Sequence, residues 1–335
     1  MRSVTVGINN RANLRISPLI EALENDPAFQ CKTMGISTTS TVPTLGVAMS
    51  INQWQMMLEN EEKPDFLVLI GDRYETLGAA IAAHYARVCI VHLQGGEVSG
   101  TRDDGARDAI TRLSHYHVPA TLGAKERLLA IGELPATILA TGCPSSDLAF
   151  KIKVPEQRQG VLLMLNSDTD LDGRANQELA LKVGAEVKRS GLPVRAIVPN
   201  VDESSSVITR VWQELQIPVL PAMSPSRFYE VLAGVQVAVG NSSALVRESG
   251  FFGTPVALVG ERQTGRELGR NVSLVPPEQV YQAVCVLADH GSYPPDTLYG
   301  DGKVCQQILQ LLMEVEPYYV KQSPHSWSDS GKRWE

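Results

Sequence analysis

The sequence predicts an α/β protein of two doubly wound domains, each a parallel sheet with helices on both faces. Three observations predict it. Short apolar runs without polar alternation recur, such as Phe66-Leu67-Val68-Leu69-Ile70, and strands of that kind are buried on both faces. Longer amphipathic segments separate them, as the crossovers between parallel strands require. The rhythm stops at a polar stretch from Pro155 to Gly160 and then restarts, and 335 residues exceed what one compact core holds.

In chain order, Ser3–Ile8 reads as a buried strand and the stretch near Pro18–Asn25 as a helix. Phe66–Ile70 is a strand, Glu75–Ala86 a helix, Val88–Leu93 a strand and Asp104–Ser114 a helix. After the break, Gly160–Leu165, Val194–Val198, Val235–Val239 and Pro255–Val259 are strands, with a short one around Val219. Helices are expected over Ala175–Arg189, Ser205–Leu215, Ser226–Ala233 and Ser243–Phe252. The domains are placed at 1–155 and 156–316, with a polar tail at 317–335. A ligand is expected in the cleft between the two halves, at the carboxyl ends of the strands.

Composition narrows the function. Hydrophobic residues make up 43% and charged residues 20%, which is globular, and the net charge of -7 argues against a nucleic-acid partner. No segment reaches the roughly 18 apolar residues of a membrane-spanning helix. The N-terminus enters a strand pattern at once rather than a signal peptide, so a cytoplasmic location is expected. Cys31, Cys89, Cys143, Cys285 and Cys305 are scattered without a Cys-x-x-Cys spacing. No zinc site or disulfide framework is therefore expected.

The residues just after strands carry the chemistry. Gly71-Asp72-Arg73-Tyr74-Glu75 follows one strand, and Asp72 suits either a helix cap or the cleft. Gln94-Gly95-Gly96-Glu97 follows the next, where paired glycines turn the backbone and present Glu97. Asp103 and Asp104 open the helix that leads to His115 and His117. Asp72, Glu97 and Asp104 are expected on one rim, an arrangement suited to acid/base work. His92, His115 and His117 read as packed or hydrogen-bonded core positions. In the second half, Gly240-Asn241-Ser242-Ser243 runs into a helix carrying Glu248, a pattern suited to a diphosphate and a ribose. Gly260-Glu261-Arg262-Gln263-Thr264-Gly265-Arg266 follows the next strand and offers the cations Arg262 and Arg266. Arg11 follows the first strand.

Together these segments resemble the UDP-N-acetylglucosamine 2-epimerase family, in particular its hydrolysing branch in sialic-acid-type sugar biosynthesis. The likeness rests on Gly71 to Glu75, His92 to Glu97, Asp103 to His115, Gly240 to Glu248, Gly260 to Arg266, and Asn200-x-Asp202 with Ser204 to Ser206. It runs from Arg11 to about Asn271. The resemblance implies a GT-B fold of two Rossmann-like domains, a homodimer, and no redox cofactor or metal. It implies catalytic roles for Asp72, Glu97 and Asp104, with Asp103 beside them, in domain 1–155. It implies nucleotide contacts from Arg11, Ser242, Ser243, Glu248 and Arg266, to which Asn241, Arg262 and Gln263 are added from their place in the same loops. The implied reaction eliminates UDP across C1–C2 of UDP-GlcNAc or a relative to a glycal, then adds water to give an N-acetylmannosamine-type sugar.

The chain departs from the family on the sugar side. Asn166 stands where the family carries a His, and an amide does not titrate near neutral pH. Asp168 lies two residues on as a candidate substitute. Asn13 replaces an acid, the segment after Met34 is shorter, and one residue is missing between Glu97 and Asp103. The alternatives are a homologue that binds a nucleotide sugar without turning it over, and a GT-B glycosyltransferase.

Overall fold

The structure is a computed structural model that describes residues 1–9, 13–36, 42–60, 62–168, 171–199 and 204–321. Two compact units form: residues 1–97, 102–144 and the chain from Lys303 onward make the first, residues 98–101 and 145–302 the second.

The first unit contains β1 (Arg2–Asn9), α1 (Asn13–Asn25), β2 (Phe29–Ile36), α2 (Pro43–Asn60), β3 (Phe66–Ile70), α3 (Tyr74–Tyr85), β4 (Cys89–Leu93), α4 (Asp103–Leu113), β5 (Tyr116–Val118) and α5 (Leu122–Ala130). Its five strands pair in the order β2-β1-β3-β4-β5, all parallel. β3 is apolar throughout because both its faces are covered. Phe66, Val68 and Ile70 pack with Ile16, Leu19 and Leu23 of α1. Leu67 and Leu69 pack on the opposite side with Trp54, Ala79, Ala83 and Ile110. The direction of the chain order reverses between β1 and β3, so the loops after these two strands flank the switch point where α/β sheets bind ligands.

The second unit contains α6 (Ser145–Ala149), β6 (Val161–Met164), α7 (Gly173–Arg189), β7 (Val194–Ile197), α8 (Ser205–Glu214), β8 (Val219–Leu220), α9 (Pro225–Ala233), β9 (Val237–Gly240), α10 (Ser243–Arg247), β10 (Val256–Leu258), β11 (Val272–Leu274) and α11 (Val280–His290). Its strand order is β11-β10-β9-β6-β7-β8, again wholly parallel. The switch point lies between β6 and β9, where Asn166 and Asn241 emerge.

Three sequence expectations are changed by packing. The expected helix Ser243–Phe252 divides into the five-residue α10 and a 3-10 helix over Ser249–Phe252, ended by Gly253 at φ 59°. The first helix begins at Asn13 rather than near Pro18 and carries that proline inside it. The compact units meet at Pro144/Ser145 rather than at the polar stretch near 155. The reason is that α6 lies against α9 and Phe150 sits 5.7 Å from Phe251, ring centre to ring centre. A twelfth helix, α12 (Val304–Glu314), returns to the first unit, because Val304, Cys305, Ile308 and Leu312 bury against its core. No described helix is long and apolar enough to cross a membrane.

Candidate active site

The carboxyl ends of β3 and β4 and the first turns of α4 bring the first cluster together. Asp72 does not cap α3; that position belongs to Arg73, which makes no side-chain cap bond and instead pairs with Glu75 at 2.9 Å. The Asp72 carboxylate turns to Arg107 of α4, a residue only 1% exposed. Arg107 also pairs with Asp104 one turn earlier and donates from Nη1 to the Glu97 carbonyl at 2.6 Å. Burial works against the charge of Arg107, but Asp72, Glu97 and Asp104 outweigh it and raise its pKa. Asp72 and Asp104 thus share one buried guanidinium that the Glu97 main chain also meets, on the one rim where the sequence expects these three residues. Asp103 is exposed at the first position of α4.

The backbone that presents Glu97 is tightly shaped. Gly96 has φ 76°, and a Cβ there would meet the Ala124 carbonyl at 2.3 Å, so only glycine fits. Gln94 has φ 65° although it carries a side chain, which is uncommon for a non-glycine residue. Its amide is held at both ends, donating to the Cys143 sulfur at 2.9 Å and accepting from Arg15 at 3.3 Å.

His92 braces the rim. It is buried, with Nε2 2.9 Å from the Gly71 carbonyl and Nδ1 3.1 Å from the Thr111 hydroxyl. The carbonyl accepts only, so Nε2 carries the hydrogen and Nδ1 accepts from Thr111. Burial pushes its pKa down to about 4, which keeps it neutral. His115 accepts from the Ile90 N–H at 3.0 Å and is likewise pushed down to about 4 by burial. His117 lies 3.0 Å from Glu133, and burial again outweighs the carboxylate and lowers its pKa. All three histidines hold structure, in agreement with the sequence reading.

The second cluster lies at the carboxyl ends of β6, β9 and β10. Gly240 has φ 150°, and a Cβ there would overlap the Met164 carbonyl at 2.1 Å. That close approach brings Asn241 onto the Asn166 main chain. Its Oδ1 accepts from the Asn166 N–H and its Nδ2 donates to the Asn166 carbonyl, both at 2.8 Å. Ser242 caps α10 by accepting from the Ala244 N–H at 3.3 Å, Ser243 follows as its first residue, and Glu248 is buried at its end. α10 has only five residues, too short for a helix dipole of full strength. Gln263 donates to the Asn241 carbonyl at 3.1 Å and accepts from Arg266 Nε at 2.7 Å. Arg262 is half-buried in the same loop. Asp168 is buried after β6, its main chain bonded both ways to the Asn176 amide at 2.8 and 3.0 Å. Arg11, Asn200 and Asp202 lie outside the described residues.

The sequence profile of UDP-N-acetylglucosamine 2-epimerases matches residues 32–313 of this chain. The chain belongs to the UDP-N-acetylglucosamine 2-epimerase family. It is 33% identical over 273 residues to UDP-N,N'-diacetylbacillosamine 2-epimerase (hydrolyzing) of Legionella pneumophila, covering 76% of this chain and 72% of that one. It is 28% identical over 294 residues to UDP-N-acetylglucosamine 2-epimerase of Neisseria meningitidis serogroup B, covering 82% and 76%. Among solved structures, the Neisseria meningitidis UDP-GlcNAc 2-epimerase bound to UDP-GlcNAc superposes with a TM-score of 0.77 at 15% identity, over 94% of this chain and 100% of that one. The S. aureus MnaA–UDP structure gives 0.74 at 17% identity, over 96% and 99%. The two parallel sheets and these likenesses establish the GT-B fold. As a member of this family the chain is a nucleotide-sugar 2-epimerase.

Two features of the site escape the sequence reading. Arg107 figures there only within the segment from Asp103 to His115, although its spacing from Asp104 already permits an i,i+3 pair. Gln94 passes as an ordinary loop residue after the strand, because nothing local marks a non-glycine residue at positive φ.

Proposed function

We propose that this family member is a hydrolysing epimerase that converts UDP-GlcNAc, or a 2-acetamido relative such as UDP-N,N'-diacetylbacillosamine, to the free 2-epimeric sugar and UDP. The observation that carries this reading is Arg107, buried and shared by Asp72 and Asp104 with Glu97 beside them. Elimination needs a base for the C2 proton and stabilisation of the departing diphosphate. The proton passes from C2 to one of these carboxylates as the C1–O bond to UDP breaks, leaving a glycal. A second acid then protonates C2 from the opposite face while water adds at C1. Water oxygen ends on C1 and UDP leaves with both electrons of the broken bond.

The second cluster takes the nucleotide in this reading. Arg262 and Arg266 neutralise the diphosphate, Ser242 and Ser243 donate to it, and Glu248 accepts from the ribose. Arg11 adds a cation, as the resemblance implies. Asn166 orients the sugar by its amide and takes no proton, so acid and base work falls on the carboxylates. The 33% likeness to a diacetylbacillosamine enzyme favours testing the diacetylated sugar beside UDP-GlcNAc. The product is an N-acetylmannosamine-type sugar suited to sialic-acid-type synthesis, and a nucleotide-sugar substrate fits a cytoplasmic enzyme.

The test is proton and phosphorus NMR of the protein with each nucleotide sugar in deuterated water. Release of UDP with deuterium at C2 of an inverted free sugar is the expected result. Unchanged sugar with both substrates would refute the hydrolysing reaction. A homodimer is part of the same proposal. It is supported by Leu45, Met49 and Met56, apolar and exposed on one side of α2. Light scattering should read twice the 36.4 kDa chain mass, and a single-chain mass would sink it.

A further inference from the structure

We propose that Gln263 and Asn241 are positioning residues that act through Arg266 and Asn166 without touching the nucleotide. The sequence pattern counts both among the nucleotide contacts. Their geometry points elsewhere.

Each amide is engaged at both ends inside the protein. Asn241, 1% exposed, spends its oxygen and its nitrogen on the two main-chain groups of Asn166. Gln263, 5% exposed, spends its nitrogen on the Asn241 carbonyl and its oxygen on Arg266 Nε. The Arg266 N–H also closes onto the Gln263 carbonyl at 3.1 Å, so side chain and main chain of these two residues are joined twice. The amide orientations follow from chemistry: a carbonyl takes only a donor, and guanidinium Nε offers only one. The relay runs Asn166, Asn241, Gln263, Arg266, and it crosses the carboxyl ends of β6, β9 and β10, three neighbouring strands.

A bond at Nε fixes the plane of a guanidinium. The Nη edge opposite is the edge that meets a phosphate bidentately. Gln263 thus sets the direction in which Arg266 presents that edge. Asn241 sets where Gln263 stands, and by the same amide fixes the main chain from which the Asn166 side chain projects. Diphosphate and sugar ends of the ligand are held in one register through four buried or nearly buried polar residues, and buried networks of this kind hold one arrangement only when every member is satisfied.

The inference rests on the diphosphate role proposed for Arg266, and a double-mutant cycle on UDP binding separates the two. Calorimetry would compare wild type, Gln263→Met, Arg266→Ala and the double variant. Met keeps the volume of Gln and removes both bonds. Arg266→Ala is expected to weaken UDP on the order of a hundredfold and Gln263→Met about tenfold. In the double variant the Gln263 effect should vanish, leaving the affinity of Arg266→Ala alone. A further tenfold loss in the double variant would mean that Gln263 contacts UDP itself and would overturn the proposal. So would wild-type affinity in Gln263→Met. Wild-type affinity in Arg266→Ala would instead refute the diphosphate reading, and the inference with it. If Gln263→Met melts too low to assay, Gln263→Asn enters the same cycle, since it stays neutral but is one methylene too short to reach Arg266 Nε and the Asn241 carbonyl together, and it is judged by the same additivity.

Discussion

Arg107→Met is expected to lower kcat on the order of a thousandfold, with a much smaller change in KM. The Met side chain matches the length of the Arg stem but leaves Asp72, Asp104 and the Glu97 carbonyl without their common donor. Two carboxylates then repel across a site that burial has partly removed from water, and Glu97 loses the anchor on its own main chain. Preorganised groups of this kind carry factors of a hundred to a thousand each. The same change removes one partner of a buried ion pair, at a stability cost of about 3–5 kcal/mol. Turnover by UDP release and urea unfolding measure the two effects separately. Arg107→Lys is expected to recover part of the stability and little of the turnover, because an ammonium does not reproduce the planar fork that reaches two carboxylates and a carbonyl together. Wild-type kcat in Arg107→Met would remove the cluster from the mechanism.

The second large effect is loss of stability in mild acid. His92 and His115 titrate near 4 in the folded chain because burial disfavours their charged forms. An unfolded histidine titrates near 6.5. Between these values the unfolded state binds more protons, so the stabilisation is fully present above about pH 6.5 and is lost as pH falls toward 4. At pH 5 each imidazole contributes about 2 kcal/mol of destabilisation relative to pH 7.5. His117, also lowered by burial, acts in the same direction. Glu133 adds a separate loss at lower pH. Burial alone would raise its pKa, but His117 and Lys321 bring it down to about 2, so its contribution is present above about 4.5 and lost below. Melting temperatures at pH 7.5, 6 and 5 test this. His92→Gln, which keeps a donor for the Gly71 carbonyl and cannot titrate, should flatten the profile. A melting temperature unchanged from pH 7.5 to 5 would contradict the neutral, buried assignment of these rings.

Much of this enzyme is legible without coordinates. β3 is read at its observed limits, because a strand covered on both faces has an apolar side chain at every position and no other element of that length looks the same. The restart of the βα rhythm after residue 155 reveals two doubly wound units, and the glycine-flanked polar residues after the strands reveal both clusters, since parallel sheets put their loops at one edge. α2, α11 and α12 do not emerge from the periodicity reading. They pack on one side only, and their exposed positions include apolar residues such as Met49, Val286 and Met313.

What the sequence by itself determined is the class of fold, the family, and which polar loops follow the strands, because each of these is written in near neighbours along the chain. Tertiary structure alone decided that Arg107 holds Asp72, that Asp72 is no helix cap, and that Gln263 meets Asn241. It also decided that the last helix returns to the first unit. These pairings depend on strand order: β3 lies beside β4, and β6 beside β9 and β9 beside β10, so residues 22 to 75 positions apart come within hydrogen-bond distance. A local pattern shows that a polar residue stands at a sheet edge, but only the neighbouring strand supplies the partner that gives it a role.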